Sequence, residues 1–377
     1  MHNTISIQYC ENNIENNSTL IISDLTKIYF CQNGVEPKKY IFPQSIGLNK
    51  DKRHRYNMNS SDNYEKHFES QNVTDYPNTN TIFCVWVFKK DADIQPAFEQ
   101  VCAVVANLNH SFAVRMPEDR VSCVMGIGYE AWIKLNLPTP VPKELTNFRP
   151  IVGEKYTAVS TPGDIHFHFR AANISACIDM SVAIAAVLNT VADRVEEVHG
   201  FRYWDGRSIL GFVDGTENPI GKQRARFGMV GKEDLQYEGG SYLFVQKYVH
   251  NMEAWNSLSD EQQEKVFGRY KISDIEMPEN IKPGNSHSAL AGITDAQGND
   301  LKIVRDNMPF RNAAKNEFGT YFISYANTFS TTNEMLKCMY IGNPPGNYDR
   351  ILDFSIAQTG TLFFAPSVDL LNAYKAK

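Results

Sequence analysis

The chain has no CxxC pair, no long apolar run and no excess of basic residues, and each absence removes a class of protein. Its 7 cysteines (Cys10, Cys31, Cys84, Cys102, Cys123, Cys177 and Cys338) are scattered and odd in number. They read as reduced thiols of a cytosolic protein, not as a disulfide framework or a zinc site. No stretch approaches the roughly 20 apolar residues that span a bilayer, so no membrane partner is expected. A formal charge of -6 offers no general field for nucleic acid or anionic lipid. The start, Met1-His2-Asn3-Thr4, shows neither a basic and apolar secretory pattern nor a twin-arginine pair. A cytoplasmic location is the expectation.

What is present is an ordinary globular balance, 42% hydrophobic and 21% charged. A length of 377 residues exceeds one small core and predicts two units or one duplicated unit. Residues 1–78 are the least patterned. Asparagine clusters such as Asn12-Asn13 and Asn16-Asn17 favour turns over ladders. This region is expected to be an N-terminal extension, partly disordered or peripheral, and dispensable for the rest. Within it, Leu20-Ile21-Ile22 followed by Ile28-Tyr29-Phe30 reads as a short strand pair or a docking segment. Lys50 to Arg55 reads as a solvated loop.

Regular structure begins at Thr81 to Phe88, a β-branched and aromatic run typical of a buried strand. Asp93 is a candidate N-cap for a helix carrying Ile94, Phe98, Val101, Val105 and Leu108 and ending at His110. Val121 to Ile127 predicts a second strand and Asp164 to Phe169 a third. Asn173 caps a helix with Ile174, Ile178, Val182, Ala185 and Leu188 on one face, and Val191 to Val198 gives the next strand. The order is β-α-β-β-α-β, a ferredoxin-like unit over residues 79–200. A second set follows over 201–377: Ser241 to Val249 (strand), Met252 to Phe267 (helix), Thr320 to Tyr325 (strand), Thr332 to Met339 (helix) and Thr361 to Phe364 (strand). The fold class is therefore α+β, two ferredoxin-like units with antiparallel sheets.

The most unusual stretch is Gly211-Phe212-Val213-Asp214-Gly215-Thr216-Glu217-Asn218-Pro219. Two glycines bracket one acid and permit a tight turn and a close approach to a ligand. Phe212 and Val213 anchor the acid from behind. A carboxylate held against apolar residues usually has a task, though a surface turn with a solvated Asp fits the spacing equally well. Among the 9 histidines, His166 and His168 form an HxH on one strand face, which reads as structural or surface. His250 reads as the start of a helix. His287 lies in a turn-rich loop, Lys282-Pro283-Gly284-Asn285-Ser286, where a lone histidine is more often a surface residue.

Gly211 to Pro219, Asn285-Ser286-His287 and Ile303-Val304-Arg305-Asp306-Asn307-Met308-Pro309-Phe310 together resemble the DyP-type (dye-decolourising) haem peroxidases, closest to the B-type branch. The resemblance runs from about Thr81 to about Leu371. It implies one haem b per subunit, lodged in the C-terminal unit, with His287 as the axial iron ligand. Asp349 is then the candidate partner of that imidazole, although Asp349 or Asp353 pairing with Arg350 is an alternative. Peroxide cleavage needs a base that becomes an acid and a fixed positive charge. Asp214 and Arg305 suit those roles, Asn307 orders the peroxide or a water, and Gly215 lies in backbone suited to the haem carboxylates. Asp306 reads as a solvated or salt-bridged acid. Phe322, Leu362, Phe363 and Phe364 are candidate apolar walls, and Tyr203 and Trp204 candidate electron relays. The implied partners are hydrogen peroxide and small-molecule donors such as dyes, phenols and porphyrinogens, with a homo-oligomer expected. The Leu371 to Lys377 end has no apolar tail of the kind that takes some family members into a protein shell. Two rivals stand beside this reading: a haem-handling protein that stores, delivers or strips iron from haem, and a haemless interaction domain.

Overall fold

The computed structural model describes residues 68–376 and, as backbone only, Ser18–Asp24, Lys27–Gln32 and Lys38–Lys39. The chain divides into two units, Met1–Tyr64 and Glu65–Lys377. In the first, three antiparallel segments pair, with Leu20 opposite Phe30 and Ile22 opposite Ile28, so the expected strand pair forms. The disorder expected of the extension, and the Lys50 to Arg55 loop, lie outside the described residues.

The second unit begins as the sequence patterns dictate. β1 (Asn80–Phe88), α1 (Gln95–Arg115), β2 (Ser122–Gly128), β3 (Ile165–Ala171), α2 (Ile174–Leu188) and β4 (Ala192–Phe201) follow in turn. They make a four-stranded antiparallel sheet in the order β4-β1-β3-β2. The second set is β5 (Ser241–His250), α3 (Met252–Asn256), α4 (Asp260–Phe267), α5 (His287–Ala291), β6 (Met308–Asn312), β7 (Glu317–Ala326), α6 (Phe329–Tyr340) and β8 (Thr361–Ala365). Its order, β8-β5-β7-β6, repeats that of the first. Both halves are ferredoxin-like. Their edges then join, β4 to β6 through Gly200 opposite Phe310, and β2 to β8 through Gly128 opposite Phe363. The eight strands close into a ring with no free edge. Gly200 makes the first seam possible, since a Cβ there would lie 2.6 Å from the Met308 Cβ.

Period-two alternation decides which side chains face into the ring. On β3, Ile165, Phe167 and Phe169 pack outward under α1 and α2. His166, His168 and Arg170 point inward beside Phe83, Val245, Tyr321 and Tyr325. The HxH pair is thus fully buried in the ring interior, not a surface feature. Each fully buried Phe contributes about 1.5–3 kcal/mol of transfer free energy.

Several local expectations shift. α1 starts at Gln95 with no side-chain cap from Asp93, and it continues past His110 to Arg115. α2 buries Cys177, Met180, Ile184 and Leu188, while Ile178 and Val182 are exposed. That helix is apolar nearly all round, so periodicity could not choose its face. Met252 to Phe267 is two helices, because Ser259 caps the second in a capping box with Gln262. His250 ends β5 instead of opening a helix.

Residues 68–79 are not peripheral. The Gln71 amide donates to the Met125 and Pro366 carbonyls, both at 2.9 Å, and accepts from the Met125 N–H at 2.8 Å. Val73 and Asn78 are buried. A chain starting at Asn80 should lose about 2–4 kcal/mol of stability, from the buried groups it strands. One starting at Glu65 should lose none of it. Urea denaturation of the two chains distinguishes them, and equal midpoints would show that the segment is dispensable.

The interior histidines set a pH dependence. Burial lowers His166 to about 3 from the usual 6.5. Burial, then Arg170 and His166, holds His168 well below 6.5. Both are neutral when folded, and the unfolded chain takes up the protons first as pH falls below 6.5. Stability should therefore fall with acidification from about 6.5 toward about 3, by about 1.4 kcal/mol per pH unit for each histidine. Urea midpoints at neutral pH and in mild acid check this, and a flat profile contradicts it.

Candidate active site

The glycine-bracketed loop is built as a platform. Arg207 bridges to both Tyr203 and Val213, and the Asp214 N–H donates to the Gly206 carbonyl at 2.9 Å. Gly215 has φ +87°, and a Cβ there would sit 2.9 Å from the Asn218 amide nitrogen, so glycine is required twice over. Phe212 is buried and stacks on Phe267 with ring centroids 3.9 Å apart. With Leu210, Trp255, Val266 and Phe354 it forms a small separate core that fixes the loop. Val213 does not back the acid; it lines the cavity beside it.

The loop is clasped to the strand pair Val304–Arg305. Asn218 donates its amide to the Arg305 carbonyl and accepts from the Arg305 N–H, both at 2.8 Å. Two residues on, the Asn307 carboxamide is held at both ends. Its oxygen accepts from the Ile323 N–H at 3.1 Å, and its nitrogen donates to both Asp214 oxygens at 3.2 and 3.3 Å. The Asn307 orientation is thereby set, and so is the Asp214 carboxylate. Between them Asp306 turns the other way, into the ring, where it pairs with Arg170 at 3.0 Å. It is salt-bridged and buried, not solvated. The Arg305 guanidinium has no carboxylate partner among the described residues, so its charge is available.

A second segment brings the imidazole. His287 opens α5, and its Nδ1 lies 2.7 Å from Asp349 Oδ2. Asp349 is wholly buried, and its other oxygen accepts the Ile351 N–H at 2.9 Å. A carboxylate at Nδ1 places the hydrogen there and leaves the Nε2 lone pair outward, with the ring 26% exposed. Arg350 pairs with Asp353 instead, as does Lys155, so Asp349 is committed to His287.

All these parts meet at one cavity of about 560 Å³, lined by Asp214, Gly215, His287, Arg305 and Asn307. Leu210, Phe267, Phe322, Met335, Leu336 and Ile351 give it apolar walls. Of the walls expected from sequence only Phe322 lies here. Leu362 and Phe364 belong to the core under the helices and Phe363 to the ring interior. The rim carries Arg269, Lys282 and Lys302, paired with Glu217, Glu276 and Glu279. Tyr203 and Trp204 do not line the cavity, and Trp204 is 78% exposed. Sequence reasoning missed two residues. One is Asn218, whose signal was its place in the motif. The other is His250 in the cavity wall, bonded to Ser355 Oγ at 2.7 Å and Thr320 Oγ1 at 2.9 Å, with burial lowering it to about 4.

Family comparison agrees with this arrangement. The model for the N-terminal part of Dyp-type peroxidases matches residues 71–202, and that for the C-terminal part matches residues 205–370. The chain belongs to the Dyp-type peroxidases. It is 46% identical over 286 residues to a dye-decolorizing peroxidase of Rhodococcus erythropolis, covering 76% of this chain and 84% of that protein. It is 45% identical over 281 residues to one from Mycobacterium tuberculosis, covering 74% and 84%. Among solved structures, a dye-decolorizing peroxidase from Bacteroides thetaiotaomicron superposes with TM-score 0.78 at 49% identity, covering 81% of this chain and 98% of that one. DyPB from Rhodococcus jostii gives 0.76 at 44%, covering 81% and 97%, in keeping with the B-type motif pattern. A variant of that DypB was solved in complex with heme. The encapsulated Dyp-type peroxidase of Mycobacterium smegmatis gives 0.79 at 43%, covering 82% and 99%. In this Dyp-type peroxidase no helix among the described residues is long and apolar enough to cross a membrane.

The clasp makes a clear prediction. Asn218→Ala removes two good hydrogen bonds and frees the Arg305 peptide, which should cost about 1–3 kcal/mol. Thermal denaturation measures it, and an unchanged midpoint would deny the clasp its role.

Proposed function

We propose that this cavity holds haem b and is where the peroxidase turns over hydrogen peroxide, with His287 on the iron and Asp214, Arg305 and Asn307 acting on peroxide. The observation that carries the reading is the meeting in one cavity of a carboxylate-tied imidazole, a positioned acid and an unpaired guanidinium. The residues fit the cofactor: apolar walls for the porphyrin, an outward imidazole lone pair for iron, and the glycine-rich backbone at Gly215 for the carboxylates. Bound haem supplies the redox chemistry, accepting oxidising power from peroxide and passing it on in one-electron steps.

The protein supplies the rest. Asp214 takes the proton from one peroxide oxygen and returns it to the other. Arg305 holds the negative charge that develops on the departing oxygen, and guanidinium stays cationic at any working pH. Asn307 keeps the Asp214 oxygens aimed while leaving them free to accept. Asp349 holds His287 in one tautomer and strengthens it as a ligand. A haem carrier would have no use for Asp214 and Arg305 together. The reading extends to a cytoplasmic location, supported by five free described cysteines, and to a homo-oligomer, supported by the exposed Ile178 and Val182 on α2. Organic donors such as dyes and phenols follow from the family chemistry.

His287→Ala should lose haem or change its ligand-sensitive spectrum, and wild-type haem content and spectrum would remove it from the iron. Asp214→Asn and Arg305→Leu should both keep haem. Each should slow the reaction with peroxide by about 10²-fold or more, with Arg305→Leu the more damaging, because water substitutes for a proton relay but not for a fixed cation. The losses should not add fully in the double variant, since both act on one transition state. Stopped-flow mixing across pH is the test. A wild-type rate in Arg305→Leu, or in Asp214→Asn, rejects the corresponding role.

A further inference from the structure

Behind the cavity wall the ring interior holds a stacked column of aromatic side chains with a base set into it. Phe83 lies between His168, at a centroid distance of 4.7 Å, and Tyr321, at 4.1 Å, and His168 stacks on Tyr325. The Tyr325 hydroxyl is 2.8 Å from His168 Nδ1. His168 Nε2 faces Asp306 Oδ2 at 3.7 Å. The carboxylate favours the hydrogen on Nε2, so Nδ1 is the acceptor and Tyr325 the donor. All three residues are buried, and His168 is neutral because burial holds it well below the usual range.

This pair is one peptide strand away from the cavity. On β7 Phe322 lines the cavity while Tyr321 and Tyr325 point inward. Tyr325 lies opposite Val304, and Arg305 opposite Ser324. Within residues 305–307 the side chains divide: Arg305 and Asn307 line the cavity, and Asp306 reaches the His168 side. The cavity and the phenol–imidazole pair thus share two strands, and residues 305–307 face both.

We propose that Tyr325 and His168 form a redox site that stores one oxidising equivalent between the two one-electron steps of the peroxidase. Tyr325 gives one electron to the peroxide-oxidised haem in the cavity. Its O–H bond breaks, the proton forms an N–H bond at His168 Nδ1, and a neutral phenoxyl remains. The imidazolium is then steadied by Asp306, whose own charge is shared with Arg170. When a donor's electron arrives, the proton returns and the phenol is restored. Phe83 and Tyr321 continue the stacked column and keep water from the pair. This proposal depends on haem occupying the cavity.

The test mixes holoenzyme with peroxide in the absence of donor, freezes it, and records the electron paramagnetic resonance spectrum. Wild type should show a tyrosyl radical that changes when its ring hydrogens are replaced by feeding deuterated tyrosine. Tyr325→Phe should keep its haem absorption band and lose most of that radical. Absence of a tyrosyl radical in wild type, or an undiminished one in a haem-loaded Tyr325→Phe, overturns the proposal. The haem reading is judged separately by His287→Ala and its absorption band. Should Tyr325→Phe fail to fold, wild type decides the matter: the phenoxyl oxygen should show coupling to one exchangeable proton, present in water and absent in heavy water. Lack of that coupling also overturns the proposal.

Discussion

The ion pair between Arg170 and Asp306 lies wholly inside the strand ring, and the strand that carries Arg305 and Asn307 depends on it. Burial raises the Asp306 carboxyl, and the guanidinium at 3.0 Å opposes that shift. Removing one partner of such a pair strands a buried charge, at about 3–5 kcal/mol. The pair therefore fixes which way residue 306 points, and alternation fixes its neighbours. Arg305 and Asn307 face the cavity because Asp306 is held on the other side. Arg170 also donates to Ser122 Oγ and the Asn72 carbonyl, which ties the strand to the first half and to the segment before β1.

Around that strand the site is assembled from segments far apart in sequence, each made rigid by backbone-directed bonds. Asn218 clasps the loop to Arg305, Asn307 reads the Ile323 N–H, and Asp349 is pinned by the Ile351 N–H. Catalytic groups placed this way need little reorganisation when charge develops. The design is economical in titrating groups. Asp214 is oriented by the Asn307 amide and Asp349 by the Ile351 N–H, and no lysine or arginine among the described residues pairs with either.

Much of this was legible in the residues themselves. Asp214, Arg305, Asn307 and His287 were singled out by motifs that resemble a family; by spacing alone Asp214 fitted a solvated turn and His287 a surface loop. The first β-α-β-β-α-β pattern was readable because its strands are β-branched and aromatic and its helices long. In the second half β6 (Met308–Asn312) went unread inside the Ile303 to Phe310 motif, and α3 and α4 are short. Other features depend on contacts that no local window contains. Closure of the ring rests on Gly200 meeting Phe310, 110 positions apart by their numbering. His250 looked like a helix start because it is a polar residue following an apolar run, yet its pairing with Ser355 continues the strand. The choice between Arg350 and His287 as partner of Asp349 required knowing that Arg350 reaches Asp353. The inner face of α2 was misjudged because Ile178 and Val182 are as apolar as the residues that are buried.

The cavity itself has a topological cause. In the first half α1, the connection between the first two strands, lies on the sheet and buries Phe98, Val101 and Val105 against it. In the second half the equivalent connection runs from residue 251 to residue 307. Its helices α3 and α4 pack on Leu210 and Phe212 of the glycine-bracketed loop instead of on the sheet. The outer face of β5 and β7 is thus left without its helix, and Tyr248, His250, Thr320 and Phe322 line open space. The displaced connection then returns across that space carrying His287 on one part and Arg305 on another. One lengthened crossover in a duplicated fold accounts for the cavity, its apolar wall and the placing of His287 and Arg305 in its lining. It also explains why the two halves, alike in strand order, differ so sharply in chemistry.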